Sequence, residues 1–374
     1  MLALLAKRTE FMDTQTLVLF LLGFVLLISG AEWLVKGASR LAATSGVSPL
    51  VVGLTIVAFG TSAPELAVSV QAAYGGQVDI AVGNVVGSNI CNILLILGIA
   101  ALFAPLVVAQ QLIRLDVPLL IAVSILMYVL SWDGHIGFTD GLVMSAGILA
   151  YIVFSVVNSR RESRQVQEEY AREYGSEVAI SGSTAIVKYL LLIVIGLVLL
   201  VLGARWLVSG AVAVARAFEV SELIIGLTIV SIGTSMPEIA ASVVSSLRGE
   251  RDIAVGNAIG SNLFNILAVL GLTAVVSPTG LPVSEAALGF DIPVMIAVAV
   301  ACLPIFFTGY RIDRWEGVLF VLYYIAYLSF LVLEAIQHRA LATFTELMVF
   351  VLPLTSVTLA VLFWRAVQRQ KPPA

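Results

Sequence analysis

Two short motifs each place a carboxylate directly after a proline inside a long apolar run. They read GTSAPE at residues 60–65 and GTSMPE at residues 233–238. Proline lacks an N–H and clashes with the carbonyl four residues back, so a helix kinks or breaks there. A carboxylate at the centre of a bilayer costs about 2.5–3.5 kcal/mol on insertion scales. Since neither run contains Lys or Arg, Glu65 and Glu238 predict a cation site.

A second polar set follows each motif, GNVVGSNICN at 83–92 and GNAIGSNLFN at 256–265. Asn84, Ser88 and Asn92 lie four residues apart and share one helix face. Single polar residues in membrane helices usually hold helices together, but a duplicated Pro-Glu motif with a duplicated polar face favours an ion site. Ca²⁺ takes 6–8 oxygen ligands. Two bidentate glutamates supply four, and carbonyls freed near Thr61 and Thr234 supply the rest.

The composition indicates a membrane protein. Of 374 residues, 60% belong to the AVILMFWYC set and 12% are charged, with a net charge of -4. Soluble domains have about 25% charged residues. An acidic, sparsely charged chain offers no basic surface for nucleic acid. The two Cys and two His residues form no zinc or nucleophile motif, so an enzyme is not expected.

Apolar runs long enough to span a bilayer occur eleven times. They lie near 15–38, 46–74, 79–103, 115–131, 139–158, 185–212, 221–247, 252–276, 288–308, 315–336 and 343–365. A charged stretch interrupts them after the fifth. The predicted domains are therefore a first five-helix unit at 15–158, a linker at 159–184, a second unit at 185–337, and an extra helix with a tail at 338–374.

The two units are repeats of one another. Residues 53–98 align without a gap with 226–271, and 28 of 46 positions are identical. Because each unit has five spans, an odd number, the second must enter the membrane in the opposite orientation, as in many secondary transporters. The predicted fold is an all-α polytopic membrane protein with two inverted five-helix repeats, ten core helices and an eleventh C-terminal helix.

Lys and Arg in the loops predict the sidedness. With the N-terminus outside, the inner loops hold fourteen of these residues and the outer loops four. The linker is then cytoplasmic. Its shortness suggests a bacterial or archaeal cell (inner) membrane.

Two aspartates precede prolines near the starts of spans, Asp116 in DVP and Asp291 in DIP. Asp is a favoured helix N-cap. Both are therefore expected to cap helices rather than bind ions.

The paired segments GTSAPE with GSNICN, and GTSMPE with GSNLFN, resemble the two alpha-repeats of the cation/calcium exchanger superfamily. The resemblance extends over about residues 15–337. It is closest to prokaryotic sodium/calcium exchangers, since the GNALE-type motif of the proton/calcium branch is absent.

The resemblance implies four cation positions around Glu65 and Glu238, with Ca²⁺ and Na⁺ as transported ions and no cofactor. Carried over, Ser62 with Ser88, and Ser235 with Ser261, line the flanking Na⁺ positions. The other implied ligands are the carbonyls of Thr61, Thr234, Ala58 and Ser231, together with Asn92 and Asn265. Potassium-dependent relatives usually have Asp where this chain has Asn265, which argues against a K⁺ requirement.

The leading prediction is a Na⁺/Ca²⁺ antiporter that works by alternating access. A H⁺-coupled or other divalent-cation exchanger using the same glutamates is the alternative, and a cation channel ranks lower because an internal inverted repeat is typical of transporters. The eleventh run is either an accessory span or a homodimer contact.

Overall fold

A computed structural model describes residues 14–76, 78–161, 183–218, 220, 222–225, 228–229 and 231–370. The N-terminal residues, most of the predicted linker and the last four residues lie outside this part. Within it, nine helices are long and apolar enough to cross a membrane, and the bent pair Pro49–Thr61 and Ala63–Tyr74 makes a tenth. The all-α polytopic fold predicted from the sequence is confirmed.

The helices of the two repeats follow in the same order. The first repeat contains α1 (Thr14–Ser45), α2 (Pro49–Val52), α3 (Ala58–Thr61), α4 (Ala63–Tyr74), α5 (Val78–Cys91), α6 (Gly98–Phe103), α7 (Val117–Leu130) and α8 (Phe138–Arg161). The second contains α9 (Ser183–Ala217), α10 (Glu222–Ile225), α11 (Ser231–Thr234), α12 (Met236–Leu247), α13 (Arg251–Phe264), α14 (Gly271–Val276), α15 (Ile292–Phe307) and α16 (Arg314–Ala335). The extra helix is α17 (Ala340–Gln370).

Several spans contain a π-helical turn, in which one extra residue enters the helix. These turns are Gly53–Val57, Asn92–Leu97, Leu112–Asp116, Asn265–Leu270 and Ala287–Asp291. Four of them form two pairs at equivalent positions of the repeats, and the described residues 228–229, equivalent to 55–56 in the first turn, are also π-helical. π-Helical turns are rare and frequently occur at functional sites. Their duplication therefore indicates that the segments at the ends of the polar sets and before the two aspartates are functional.

The two longest helices of the core, α1 and α9, pack closely along most of their length. Glycines at seven-residue spacing, Gly23, Gly30 and Gly37 in α1 and Gly196, Gly203 and Gly210 in α9, line the contact. A Cβ added at Gly30 would lie 2.8 Å from the Gly196 carbonyl oxygen. Small residues are the usual means by which membrane helices approach closely, so these glycines set the distance between the helices.

Two short antiparallel ribbons show the relative orientation of the repeats. The first joins β1 (Leu106–Val107) to β4 (Arg311–Ile312), and the second joins β2 (His135–Ile136) to β3 (Leu281–Pro282). Each ribbon connects a loop of one repeat to a loop of the other. β1 and β3 follow equivalent helices of the two repeats, but they belong to different ribbons. Because one membrane span, α7, separates β1 from β2 in the chain, the two ribbons lie at opposite ends of the bundle. The inverted topology is thus visible in the structure.

The centre of the bundle consists of the third span of each repeat. Residues 80–103 and 251–276 are the most buried of the nine continuous candidate spans. Both carry a predicted polar set, and α4 and α12, which hold the glutamates, pack against them. The fold thus places both motifs in its interior.

We predict that Gly30→Ala destabilises the protein by about 1–3 kcal/mol, the usual cost of overpacking. The added methyl group would press on the backbone of α9. Thermal unfolding of the purified protein in detergent measures the effect. Gly83→Ala is the matched control, because a Cβ there meets nothing within 4 Å; equal midpoints for both variants would contradict the close-packing role.

Candidate functional site

Each of the two motifs interrupts a helix at its serine. Ser62 separates α3 from α4 and has φ -78° and ψ 4°, and Ser235 separates α11 from α12 with φ -86° and ψ 7°. The first break bends the span by 42°. A proline stands in the first turn of α4 and of α12. Because proline has no backbone N–H, the carbonyl four residues before it receives no helical hydrogen bond from it. The predicted breaks are therefore present in both repeats.

Both glutamates are completely enclosed at these breaks. The exposed fraction is 0% for Glu65 and 1% for Glu238. Neither Glu65 Oε1 nor Oε2, nor Glu238 Oε2, has a hydrogen-bond partner among the residues that the structure describes. An unpaired buried charge costs several kcal/mol. No Lys or Arg among the described residues pairs with either carboxylate, so their negative charge calls for a cation.

Each glutamate faces the motif of the other repeat. Glu65 lies within electrostatic range of the Thr234 and Ser235 hydroxyls, and it also repels Glu238. Glu238 in turn lies near Thr61 and Ser62. The two motifs thus form one site, with two carboxylates and four hydroxyls from both halves of the chain.

The hydroxyl pairs also cross between repeats. Ser235 Oγ donates to Ser88 Oγ at 3.4 Å, and Thr61 Oγ1 lies 3.4 Å from Ser261 Oγ. The resemblance implies that Ser62 with Ser88, and Ser235 with Ser261, line the Na⁺ positions, and these ligand roles stay predictions. In the structure, the hydroxyl contacts of Ser88 and Ser261 are made with the other repeat. The reason is that α3 packs against α13, and α11 packs against α5.

Two asparagines of the polar sets hold the glutamate helices in place. Asn84 Nδ2 donates to Ser69 Oγ at 3.1 Å and to the Glu65 carbonyl at 3.2 Å. Asn257 Nδ2 donates to Ser242 Oγ at 3.1 Å. Each asparagine therefore fixes α4 or α12 against the third span of its own repeat.

The centre of the site contains amides from both repeats. Asn92 Nδ2 donates to Asn262 Oδ1 at 2.9 Å, while Asn89 and Asn262 donate to each other's backbone carbonyls. Asn92 Oδ1 and both polar atoms of Asn265 have no partner in the described part of the chain. These free amide oxygens lie at the starts of the two central π-helical turns.

The backbone carbonyls of Ala58 and Ser231, predicted as ligands, are not singled out by the structure. The Ala58 carbonyl already accepts the Ser62 N–H at 3.0 Å and the Thr61 hydroxyl at 3.4 Å. Ser231 begins α11, but its side chain lies outside the described part. The ligand roles of both carbonyls stay predictions.

A cavity of about 360 Å³ reaches this site from one end of the bundle, and Gly83, Asn84, Thr234 and Asp291 are among its lining residues. Asn84, Thr234 and Asp291 are partly exposed. The equivalent residues of the other repeat, Asn257, Thr61 and Asp116, are each 0% exposed. A Cβ at Gly83 would meet open space, whereas one at the equivalent Gly256 would lie 2.8 Å from the Leu50 carbonyl oxygen. The site is open toward one end and closed toward the other.

The predicted capping role of Asp116 and Asp291 is wrong. Neither side chain bonds to a helix N-terminus, because the chain is already helical through the preceding π-helical turn. Instead, Asp116 Oδ1 accepts from Tyr151 OH at 3.1 Å and Asp291 Oδ1 accepts from Tyr327 OH at 3.0 Å. The recurrence of DVP and DIP was the sequence signal for these pairs, but the tyrosines are about 35 residues away.

Known proteins share this architecture. The sequence profile of the family described as sodium/calcium exchanger protein matches residues 15–158 and 188–333. The putative antiporter CaxA of Alkalimonas amylolytica is 42% identical over 313 residues, which cover 83% of this chain and 96% of that protein. The sodium/calcium exchanger MaX1 of Methanosarcina acetivorans is 32% identical over 348 residues, covering 85% and 98%.

A solved structure of the sodium-calcium exchanger NCX_Mj, soaked with 10 mM Na⁺ and zero Ca²⁺, matches with a TM-score of 0.71 and 31% identity. The match covers 84% of this chain and 98% of that one. The resemblance seen in the paired motifs is confirmed. The protein is a multi-pass membrane transporter rather than an enzyme, its activity is cation/Ca²⁺ antiport, and the chain belongs to the sodium/calcium exchanger family.

Proposed function

We propose that this protein exchanges Na⁺ for Ca²⁺ at one midplane site, in which Glu65 and Glu238 bind both ions in turn. The carrying observation is the complete burial of both carboxylates with three oxygens unpartnered. Oxygen-rich sites of this kind suit Ca²⁺. A cation between two buried carboxylates stabilises their charged forms.

The charge of the site explains the competition. Two ionised glutamates carry two negative charges, which one Ca²⁺ or two Na⁺ neutralise. Three Na⁺ leave one positive charge in excess, so a three-for-one exchange moves net charge across the membrane. One elementary charge is worth about 2.3 kcal/mol per 100 mV. An inside-negative potential therefore drives Ca²⁺ out of the cell.

The flanking hydroxyl pairs are proposed as Na⁺ positions. Ser88 contacts Ser235, and Ser261, the repeat equivalent of Ser88, contacts Thr61. Ser62, Thr234, Asn92 and Asn265 complete the oxygen set. Because Asn265 carries no charge, the exchange is proposed to be independent of K⁺.

We further propose that the protein lies in the cell (inner) membrane with its N-terminus outside and its linker cytoplasmic. The cavity at Gly83 then opens outward, because α5 begins at the outer end in this orientation. The repeats at 15–158 and 185–337 are the units that move relative to one another. The helix α17 lies outside them, and none of the residues in its most apolar stretch is buried, which leaves its outer face to lipid or to a second copy.

We predict that Glu65→Gln and Glu238→Gln each lower transport at least about 100-fold, because removing one partner of a buried charged site costs about 3–5 kcal/mol. The measurement is ⁴⁵Ca²⁺ uptake into Na⁺-loaded proteoliposomes, with K⁺-loaded vesicles and pH-gradient vesicles alongside. Glu346→Gln, an exposed carboxylate on α17, is the control. Full activity in either site variant would exclude the proposed site, and uptake driven only by a pH gradient would assign H⁺ coupling.

Ser88→Ala should raise the Na⁺ concentration for half-maximal exchange about tenfold, since a hydrogen bond or ligand contact to a charged group is worth about 1.5–3 kcal/mol. The half-saturating Ca²⁺ concentration should change less, because the carboxylates dominate Ca²⁺ binding. Ser277→Ala, in a loop away from the site, is the control. An equal shift for both ions would argue against a separate Na⁺ position.

The exchange should also respond to voltage. Uptake of one Ca²⁺ for three Na⁺ moves one positive charge out of the vesicle, so an inside-positive potential set with valinomycin and K⁺ should accelerate uptake. Uptake that is indifferent to the imposed potential would contradict the three-for-one ratio.

A further inference from the structure

The two Asp–Tyr pairs lie apart from the glutamate site and are built alike in both repeats. In each, the aspartate ends a π-helical turn and a tyrosine hydroxyl of the next span binds its Oδ1. Asp116 also accepts from Gln111 Nε2 at 3.2 Å. A neutral Asn would accept the same tyrosine hydrogen bond, so helix packing alone does not account for a carboxylate inside the membrane.

The surroundings of the two aspartates differ in this conformation. Asp116 is 0% exposed. Asp291 is partly exposed and lines the cavity that ends at Thr234, next to Glu65. Among the described residues of the lining there is no Lys or Arg, and Asp291 is the one carboxylate. A low-dielectric cavity whose described lining has a carboxylate and no basic group concentrates cations in its interior.

We propose that Asp291, oriented by Tyr327, is a second cation-binding residue, which recruits Ca²⁺ from the open end of the bundle toward Glu65. Asp116, with Tyr151 and Gln111, is the equivalent residue for the opposite end and is sealed in this conformation. The inverted repeat thereby provides one recruiting carboxylate for each direction of access. This inference rests on the proposed exchange at Glu65 and Glu238.

The test is the Ca²⁺ dependence of initial uptake in right-side-out and inside-out membrane vesicles loaded with Na⁺. Asp291→Asn keeps the acceptor for Tyr327 and removes the charge. It should raise the half-saturating Ca²⁺ concentration about 3- to 10-fold in one vesicle orientation and leave the maximal rate unchanged. A change of this size is at the low end of the effects that electrostatic steering produces. Asp116→Asn should do the same in the other orientation.

Ionic strength separates recruitment from a structural role. Choline chloride at about 0.5 M shortens the screening length to a few ångströms and should shrink the difference between Asp291→Asn and the parent. Tyr327→Phe keeps the charge but removes the hydroxyl that orients it, so it should raise the half-saturating Ca²⁺ concentration less than Asp291→Asn does. Glu346→Gln, which removes a carboxylate near the same end but outside the cavity lining, should have no effect.

A second variant leaves Asp291 in place. Gly83 faces the open space of the same cavity. Gly83→Lys should therefore raise the half-saturating Ca²⁺ concentration in the same vesicle orientation as Asp291→Asn. Gly83→Gln adds similar bulk without charge and should raise that concentration less. Parent-like half-saturation in both Asp291→Asn and Gly83→Lys, with the parent active, would overturn this inference alone. A parent without Na⁺-driven uptake would overturn the proposed function instead.

Discussion

The need to compensate two carboxylates inside a bilayer is the constraint on which this structure depends. Glu65 and Glu238 are fully enclosed, face hydroxyls of the opposite repeat and repel one another. Three of their oxygens have no hydrogen-bond partner in the described part of the chain. The neighbouring polar groups offer mostly oxygen atoms. An arrangement of this kind is stable with a bound cation and costly without one, which suits a protein that must exchange one ion for another rather than remain empty.

The packing of the bundle brings these groups together from distant parts of the chain. Gly30 and Gly203 belong to a row of glycines that lets α1 and α9 approach closely. The third spans form the centre, where the broken spans cross them. The first part of each broken span packs on the third span of the opposite repeat, and the second part packs on the third spans of both repeats. Every cation position proposed here is therefore shared between the repeats, so a movement of one repeat relative to the other changes the site directly.

The two repeats have similar sequences, but equivalent residues of the two repeats differ in their exposure. Asn84, Thr234 and Asp291 contact a cavity, while Asn257, Thr61 and Asp116 are closed in by their neighbours. The two halves carry nearly the same motifs in these different environments. An inverted repeat thus supplies two related conformations, each open to a different end of the bundle.

The sequence by itself determined the membrane class, the spans, the inverted repeat and the breaks at Ser62 and Ser235. These features follow from local chemistry: apolar length, the missing proline N–H and an odd number of spans per repeat. Only the tertiary structure decided that Ser88 pairs with Ser235, that Asp116 and Asp291 bind tyrosines instead of capping helices, and which repeat is open. These contacts join residues 35 to 147 positions apart. They depend on how the helices cross and pack, which the spacing of residues along one helix does not specify.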